Sequence, residues 1–155
     1  MEKVTVCVSA CLLGINCKYN GSNNYNEKLS EFLKDKNVVP VCPEVLGGLK
    51  TPRAPCEIQS DIVVNNEGKN VDKEFRAGAK KALQIVLDSK ADYVILQPRS
   101  PSCGVNEVYN GTFSKKLIPG SGIFAQLLKK SNIKAYEPDD LLKLKDGLQK
   151  KLVFA

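Results

Sequence analysis

The run KVTVCVSA, residues 3–10, decides the fold class. Its valines and Thr5 make a β-branched run, which reads as a buried strand. The run leads into Cys11, and Gly14 follows shortly. Working outward, VVPVC (38–42), DYVIL (92–96) and IKAYE (133–137) have the same short, apolar character, and Pro43 ends the second of these.

Segments of helical period lie between the strands. SNNYNEKLSEFLKDKN (22–37) puts Leu29, Phe32 and Leu33 on one face after polar starters. KEFRAGAKKALQIVLDSK (73–90) repeats Phe75, Ala79, Ala82, Leu83 and Val86 at helical spacing, with Asp72 expected as N-cap. GSGIFAQLLKKSN (120–132) starts with glycines and turns helical. PDDLLKLKDGLQKKL (138–152) opens on Pro138, Asp139 and Asp140, where negative charge suits a helix start. Strands alternating with helices predict an α/β fold with a mostly parallel sheet flanked by helices. PEVLGGLKTPRAPCEI (43–58) is expected to be irregular. EIQSDIVVNNEGKNVD (57–72) is expected to be a hairpin, an insertion or edge, that turns at residues 65–70. There are no repeats, linkers or low-complexity segments, so one domain over residues 1–155 is expected.

Composition narrows the chemistry. With 155 residues, 43% apolar and 26% charged, the chain can bury a core and is globular. No apolar stretch approaches the ~20 residues that span a bilayer. MEKVTVCVSACLLG does not read as a secretory signal, so a cytoplasmic location is expected. There, six cysteines are not a disulfide framework. No C-x-x-C and no histidine occur, which excludes Cys₂His₂ and Cys₃His zinc sites. It also excludes Ser-His and Cys-His nucleophilic pairs. Acid–base work falls to carboxylates, lysine, tyrosine, serine or a metal-bound water. The net charge of +6 reads as a solvated basic surface. Nucleic-acid binding is the sharper reading, but only 6% of residues are aromatic and no helix-turn-helix pattern stands out.

Three cysteines end strands. Cys11 follows the first, Cys42 closes the second, and Cys103 lies beyond the third in RSPSCGVNEVYNGTF (99–113). Open parallel sheets bind ligands outside the carboxyl ends of their strands. If the three strands are neighbours, the cysteines converge there. Each is followed by loop-forming residues: CLLG, CPEVLGG and CGVNEVYNG. Three thiolates make a soft-metal site. An iron–sulfur cluster usually takes four, so three leave one iron open as a Lewis acid. The plainer alternative is three small buried hydrophobes. Cys7 belongs to the core, Cys17 in GINCKYNG could reach the same site, and Cys56 in RAPCEI is ambiguous.

The segments VSACLLGINCKYNG (8–21), CPEVLGGLKTPRAPCEI (42–58), RSPSCG (99–104) and YNGTFS (109–114) resemble the signatures of a bacterial family. It was long labelled a domain of unknown function and includes the thiouracil desulfidases. The resemblance runs from Val4 to about Glu137. It implies a [4Fe-4S] cluster on three cysteines, with an open iron that takes the sulfur of a thiolated uracil. The thiocarbonyl is then hydrolysed without net redox change and sulfide leaves. Matched by motif, the ligands fall on Cys11, Cys42 and Cys103. Ser100 is assigned to donate or relay a proton and Glu44 to activate water. Arg53 and Ser102 are assigned to substrate. Plainer roles are a backbone-bonding turn for Ser100, a helix cap for Glu44 and an ion pair with Glu57 for Arg53.

The chain departs from the family pattern at Asn20, where aspartate is usual, at Gln97, where lysine is frequent, and at Cys56, where a small residue is commoner. These leave the cluster ligands intact and bear on the substrate. The implied partner is a small thiolated nucleobase or related compound. Transfer RNA is the lesser alternative, through a sulfur-delivery protein, and a structural metal-binding module is the third.

Overall fold

The computed structural model describes residues 3–141. Strand β1 (Thr5–Ser9) runs into a 3-10 turn at Ala10–Leu13. Helix α1 (Glu27–Phe32), strand β2 (Asn37–Val41) and a one-turn helix α2 (Pro43–Leu46) follow. Strands β3 (Cys56–Gln59) and β4 (Ile62–Asn65) form a hairpin ahead of the long helix α3 (Asp72–Asp88). Strand β5 (Tyr93–Ile95), a second hairpin of β6 (Glu107–Tyr109) and β7 (Leu117–Pro119), helix α4 (Ile123–Lys130) and strand β8 (Ala135–Tyr136) complete the order.

The main sheet has four strands in the order β2-β1-β5-β8, and every pairing in it is parallel. The α/β class expected from the sequence therefore stands. Both faces of the sheet are covered, which is why its central strand carries apolar residues at consecutive positions. Cys7 and Val94 face Phe75, Ala79 and Ala82 of α3 and Phe124 and Leu128 of α4. Val6, Val8 and Ile95 face Leu29 and Leu33 around α1. Cys7 is fully buried in this core, as expected.

Helix α2 is pressed against α3. A Cβ on Gly78 would lie 1.8 Å from the Pro43 carbonyl oxygen, and one on Gly47 would lie 2.0 Å from the Glu74 oxygen. Only glycine at both positions permits this backbone-to-backbone approach, and it fixes the start of α2.

Three local expectations are corrected. The β3–β4 hairpin turns at Ser60 and Asp61, both left-handed with φ of 47° and 67°, and not at residues 65–70. A two-residue turn with φ positive at both positions matches strand twist, and aspartate tolerates that region. Residues 65–70 form a second loop, which the Asn65 side chain closes by accepting from the N–H groups of Glu67 and Lys69. The segment 43–58 is not wholly irregular: Pro43 at a helix start gives the turn α2, and Cys56 begins β3. Asp72 is not the N-cap, which is Val71; Asp72 accepts from Val63 N–H and Arg76, tying hairpin to helix. The β6–β7 hairpin had no counterpart among the expected strands.

The helix expected at 138–152 begins at 138, and its course beyond 141 lies outside the described residues. Among the described residues no helix is long and apolar enough to cross a membrane.

Candidate active site

A cleft of about 540 Å³ opens at the carboxyl edge of the sheet. Because β2, β1 and β5 are neighbours, Cys11, Cys42 and Cys103 all line it, although they are far apart in sequence. Cys11 lies in the 3-10 turn that Gly14 closes at φ 91°. Cys42 is the N-cap residue of α2. Cys103 lies in the turn beyond β5, where the Ser100 hydroxyl accepts from the N–H groups of Ser102 (3.1 Å) and Cys103 (3.0 Å).

Cys17 is drawn in as well. It is buried, and its thiol hydrogen-bonds those of Cys11 and Cys42. That bond holds the Cys11 thiol below its ordinary pKa, against the opposing effect of burial. The bond with Cys11 raises Cys17 to about 11, while the separate bond with Cys17, together with burial, raises Cys42. Burial pushes Cys103 and Cys56 up to about 12. All six cysteines are free thiols. The sequence suggested that Cys17 could reach the site; its contact with two other cysteines is a product of the chain path from Gly14 to Lys18.

The donor set suits an iron–sulfur cluster. Among the described residues no three Cys, Asp or Glu side chains gather closely enough for a single metal ion. A cluster distributes its thiolates over several irons, so its ligands surround a volume instead of a point. The cleft offers that volume with sulfur on three strand ends, and soft sulfur donors select such clusters.

Beside the cysteines runs a polar chain. Arg53 Nε donates to Glu44 Oε1 at 3.1 Å, both side chains being largely buried. Ser102 Oγ donates to Glu44 Oε2 at 2.9 Å, and Ser100 Oγ stands 3.0 Å from Ser102 Oγ. Ser102 has one proton, and the 2.9 Å carboxylate contact takes it in preference to Cys103 Sγ at 3.6 Å. Arg53 also donates to the carbonyls of Cys17 (2.8 Å) and Lys50 (3.2 Å) and to the Thr51 hydroxyl (2.9 Å). Thus Ser100, Ser102, Glu44 and Arg53 form one network. The pairing of Arg53 with Glu57, an alternative in the sequence, does not form. Glu57 Oε1 instead accepts from Gly111 N–H (2.9 Å) and Phe113 N–H (3.1 Å). Neither this clamp nor the Tyr109 and Phe113 walls of the cleft was assigned a role from sequence. In the sequence, YNGTFS stands out only as a family signature.

The departures from the family pattern fall in different places. Asn20 does not line the cleft; its side chain accepts from Ser22 N–H in the 18–22 turn. Gln97 does line it, with its amide oxygen 3.9 Å from Cys11 Sγ. Cys56 also lines it and points its thiol at the Ala54 carbonyl.

Fold and cleft together define an α/β protein with a sulfur-lined pocket at the carboxyl ends of a parallel sheet. Over residues 6–140 the sequence matches the 2-thiouracil desulfurase family, and the chain belongs to it. It is 41% identical over 146 residues to the uncharacterized protein YbbK of Bacillus subtilis (strain 168), covering 88% of this chain and 97% of that one. The structure is similar to that of the [4Fe-4S]-dependent thiouracil desulfidase TudS. The TM-score is 0.87 at 36% identity, over 95% of this chain and 99% of the other.

Proposed function

We propose that the protein is a [4Fe-4S]-dependent, non-redox desulfidase of a thiolated pyrimidine such as thiouracil. The overall reaction balances as a thiocarbonyl plus water giving a carbonyl plus hydrogen sulfide. The convergence of Cys11, Cys42 and Cys103 on one cleft beside the Ser100–Ser102–Glu44 chain carries the reading. Those cysteines would hold the cluster. Bound there, it would supply a Lewis-acidic iron open to sulfur.

The protein's own groups handle the proton. Glu44, fixed by Arg53, is the terminal acceptor. A water at Ser100 Oγ gives its proton to Ser100 as Ser100 passes one to Ser102, and Ser102 passes one to Glu44 Oε2. The reverse sequence returns a proton to the departing sulfur. Ser102 is only 1% exposed, so in this reading it relays protons and does not grip substrate. General acid–base groups of this kind contribute about 10²–10⁴-fold.

Cys17 favours a second reading. As a fourth thiolate it would close the cluster, leave no open iron and make the centre structural. Iron and acid-labile sulfide, measured without oxygen alongside sulfide release from 2-thiouracil, decide between them. The desulfidase reading expects cluster loss in Cys11→Ala, Cys42→Ala and Cys103→Ala, and a full cluster with activity in Cys17→Ala. A full cluster in Cys103→Ala, or wild-type protein that takes up no iron, would refute it.

A further inference from the structure

Glu57 belongs to the cleft wall but not to the network just described. It is 8% exposed, lies on β3 and lines the cleft. Its Oε1 holds the loop between β6 and β7 through the N–H groups of Gly111 and Phe113. Gln59 Nε2 holds the same loop by donating to the Gly111 carbonyl at 2.6 Å. The approach is too close for a side chain at residue 111, where a Cβ would lie 2.7 Å from the Ile58 oxygen. The loop is therefore fixed to β3, and Phe113 is fixed with it at φ 55°.

The other oxygen is different. Glu57 Oε2 has no hydrogen-bond or ion-pair partner among the described residues, yet no buried side-chain oxygen among them lacks one. Among the described residues it is thus the unengaged acceptor of a residue that lines the cleft. Glu44 differs in that both its oxygens are engaged, by Arg53 and Ser102. Glu57 thus offers a carboxylate acceptor, tied through its first oxygen to the loop that carries Phe113. Tyr109 and Phe113 contribute apolar rings to the same cleft. An in-plane acceptor combined with aromatic faces is how proteins read a nucleobase outside a helix.

We propose that Glu57 determines substrate specificity, with Oε2 accepting the ring N–H of a lactam-type thiopyrimidine. This rests on the desulfidase reading. A uracil-type ring presents N–H at the position where a cytosine-type ring presents a bare nitrogen lone pair. A carboxylate accepts from the first and repels the second. In Glu57→Gln the amide oxygen keeps the clamp on Gly111 and Phe113, while the amide NH₂ replaces Oε2. The acceptor becomes a donor without dismantling the loop.

The test compares uracil with cytosine in calorimetric binding, and 2-thiouracil with 2-thiocytosine in sulfide release. Wild-type protein should favour the uracil-type ring at least tenfold, since hydrogen bonds to a charged group weigh about tenfold to hundredfold. Glu57→Gln, with unchanged iron content, should shrink that ratio at least tenfold or reverse it. An unchanged ratio overturns the proposal and leaves the desulfidase reading standing. Iron-replete wild type that releases no sulfide from either thiobase removes both. Independently of any variant, methylating the ring N–H that meets Oε2 should cost at least tenfold. Wild type that accepts N3-methyl 2-thiouracil as readily as 2-thiouracil also overturns the proposal.

Discussion

Gly78→Ala is a substitution that helix propensity alone would favour, and the structure says it will damage the protein. Alanine in a helix interior is better than glycine by about 1 kcal/mol. At residue 78, however, the new methyl would stand 1.8 Å from the Pro43 oxygen and 2.9 Å from the Gly47 nitrogen. Those atoms are backbone, so no side chain can swing aside. Helix α2 must retreat from α3 by roughly 1 Å or more before the contact is tolerable. Overpacking of this kind costs about 1–3 kcal/mol, occasionally more. The clash is with backbone, so the upper end applies; net of the propensity gain, a loss of about 2 kcal/mol is expected, or roughly 4–8 °C in Tm for a chain of this length. The functional effect should be larger. Cys42 caps α2 and Glu44 lies in its first turn, so both move with it. A displacement of about 1 Å in a reacting constellation can cost about 10²-fold in rate. Thermal unfolding, iron content and sulfide release from 2-thiouracil report the three effects. Gly48→Ala is the control: it carries φ 92° but has nothing within 4 Å of the added methyl, so it strains backbone without moving α2. A Gly78→Ala protein with Tm at or above wild type and normal turnover would show that the close approach is not what places Cys42 and Glu44.

Three further outcomes follow from the same geometry. Arg53→Ala strands the largely buried Glu44 carboxylate and should cost about 3–5 kcal/mol by urea unfolding; a cost below about 1 kcal/mol would mean the pair is effectively solvated. Ser102→Ala and Ser100→Ala should each lower kcat about 10²-fold, and the double variant should be little worse than either, because links of one relay are not additive. Independent, multiplying losses would break the relay. Without metal and with thiols kept reduced, stability should decline in alkali. Burial disfavours ionisation of Cys7 and Tyr93 and raises their pKa values, so the unfolded chain loses those protons first. The contribution is complete below the unfolded values, about 8.5 and 10, and disappears as pH climbs through the higher folded ones. A Tm that stays flat from pH 8 to 11 would contradict this.

Strand and helix identity could be read locally because the apolar patterns are local. Residues 3–10 and 92–96 are β-branched or aliphatic runs, and Phe75, Ala79, Ala82 and Val86 repeat at helical period, so an α/β sheet followed from the chain alone. The strand-end placement of Cys11, Cys42 and Cys103, together with the absence of histidine, narrows the chemistry from the sequence alone. Contacts between distant segments could not be read in this way. The pairing of Arg53 with Glu44 instead of Glu57 depends on how α2 settles against α3, which two glycines 31 positions apart in sequence permit only when the helices meet. The hairpin turned at Ser60–Asp61 although residues 65–70 carry the stronger turn composition, because pairing of Gln59 with Ile62 set the register. Cys17 joined the other thiols, and Glu57 took hold of the Phe113 loop, through bonds that span loops and strands far apart in the chain. Sequence determined which segments bury apolar surface, since each residue carries its own hydrophobicity and backbone preference. Tertiary structure alone decided which oxygen and sulfur atoms meet, since a hydrogen bond depends on separations of a few tenths of an ångström that no single segment contains.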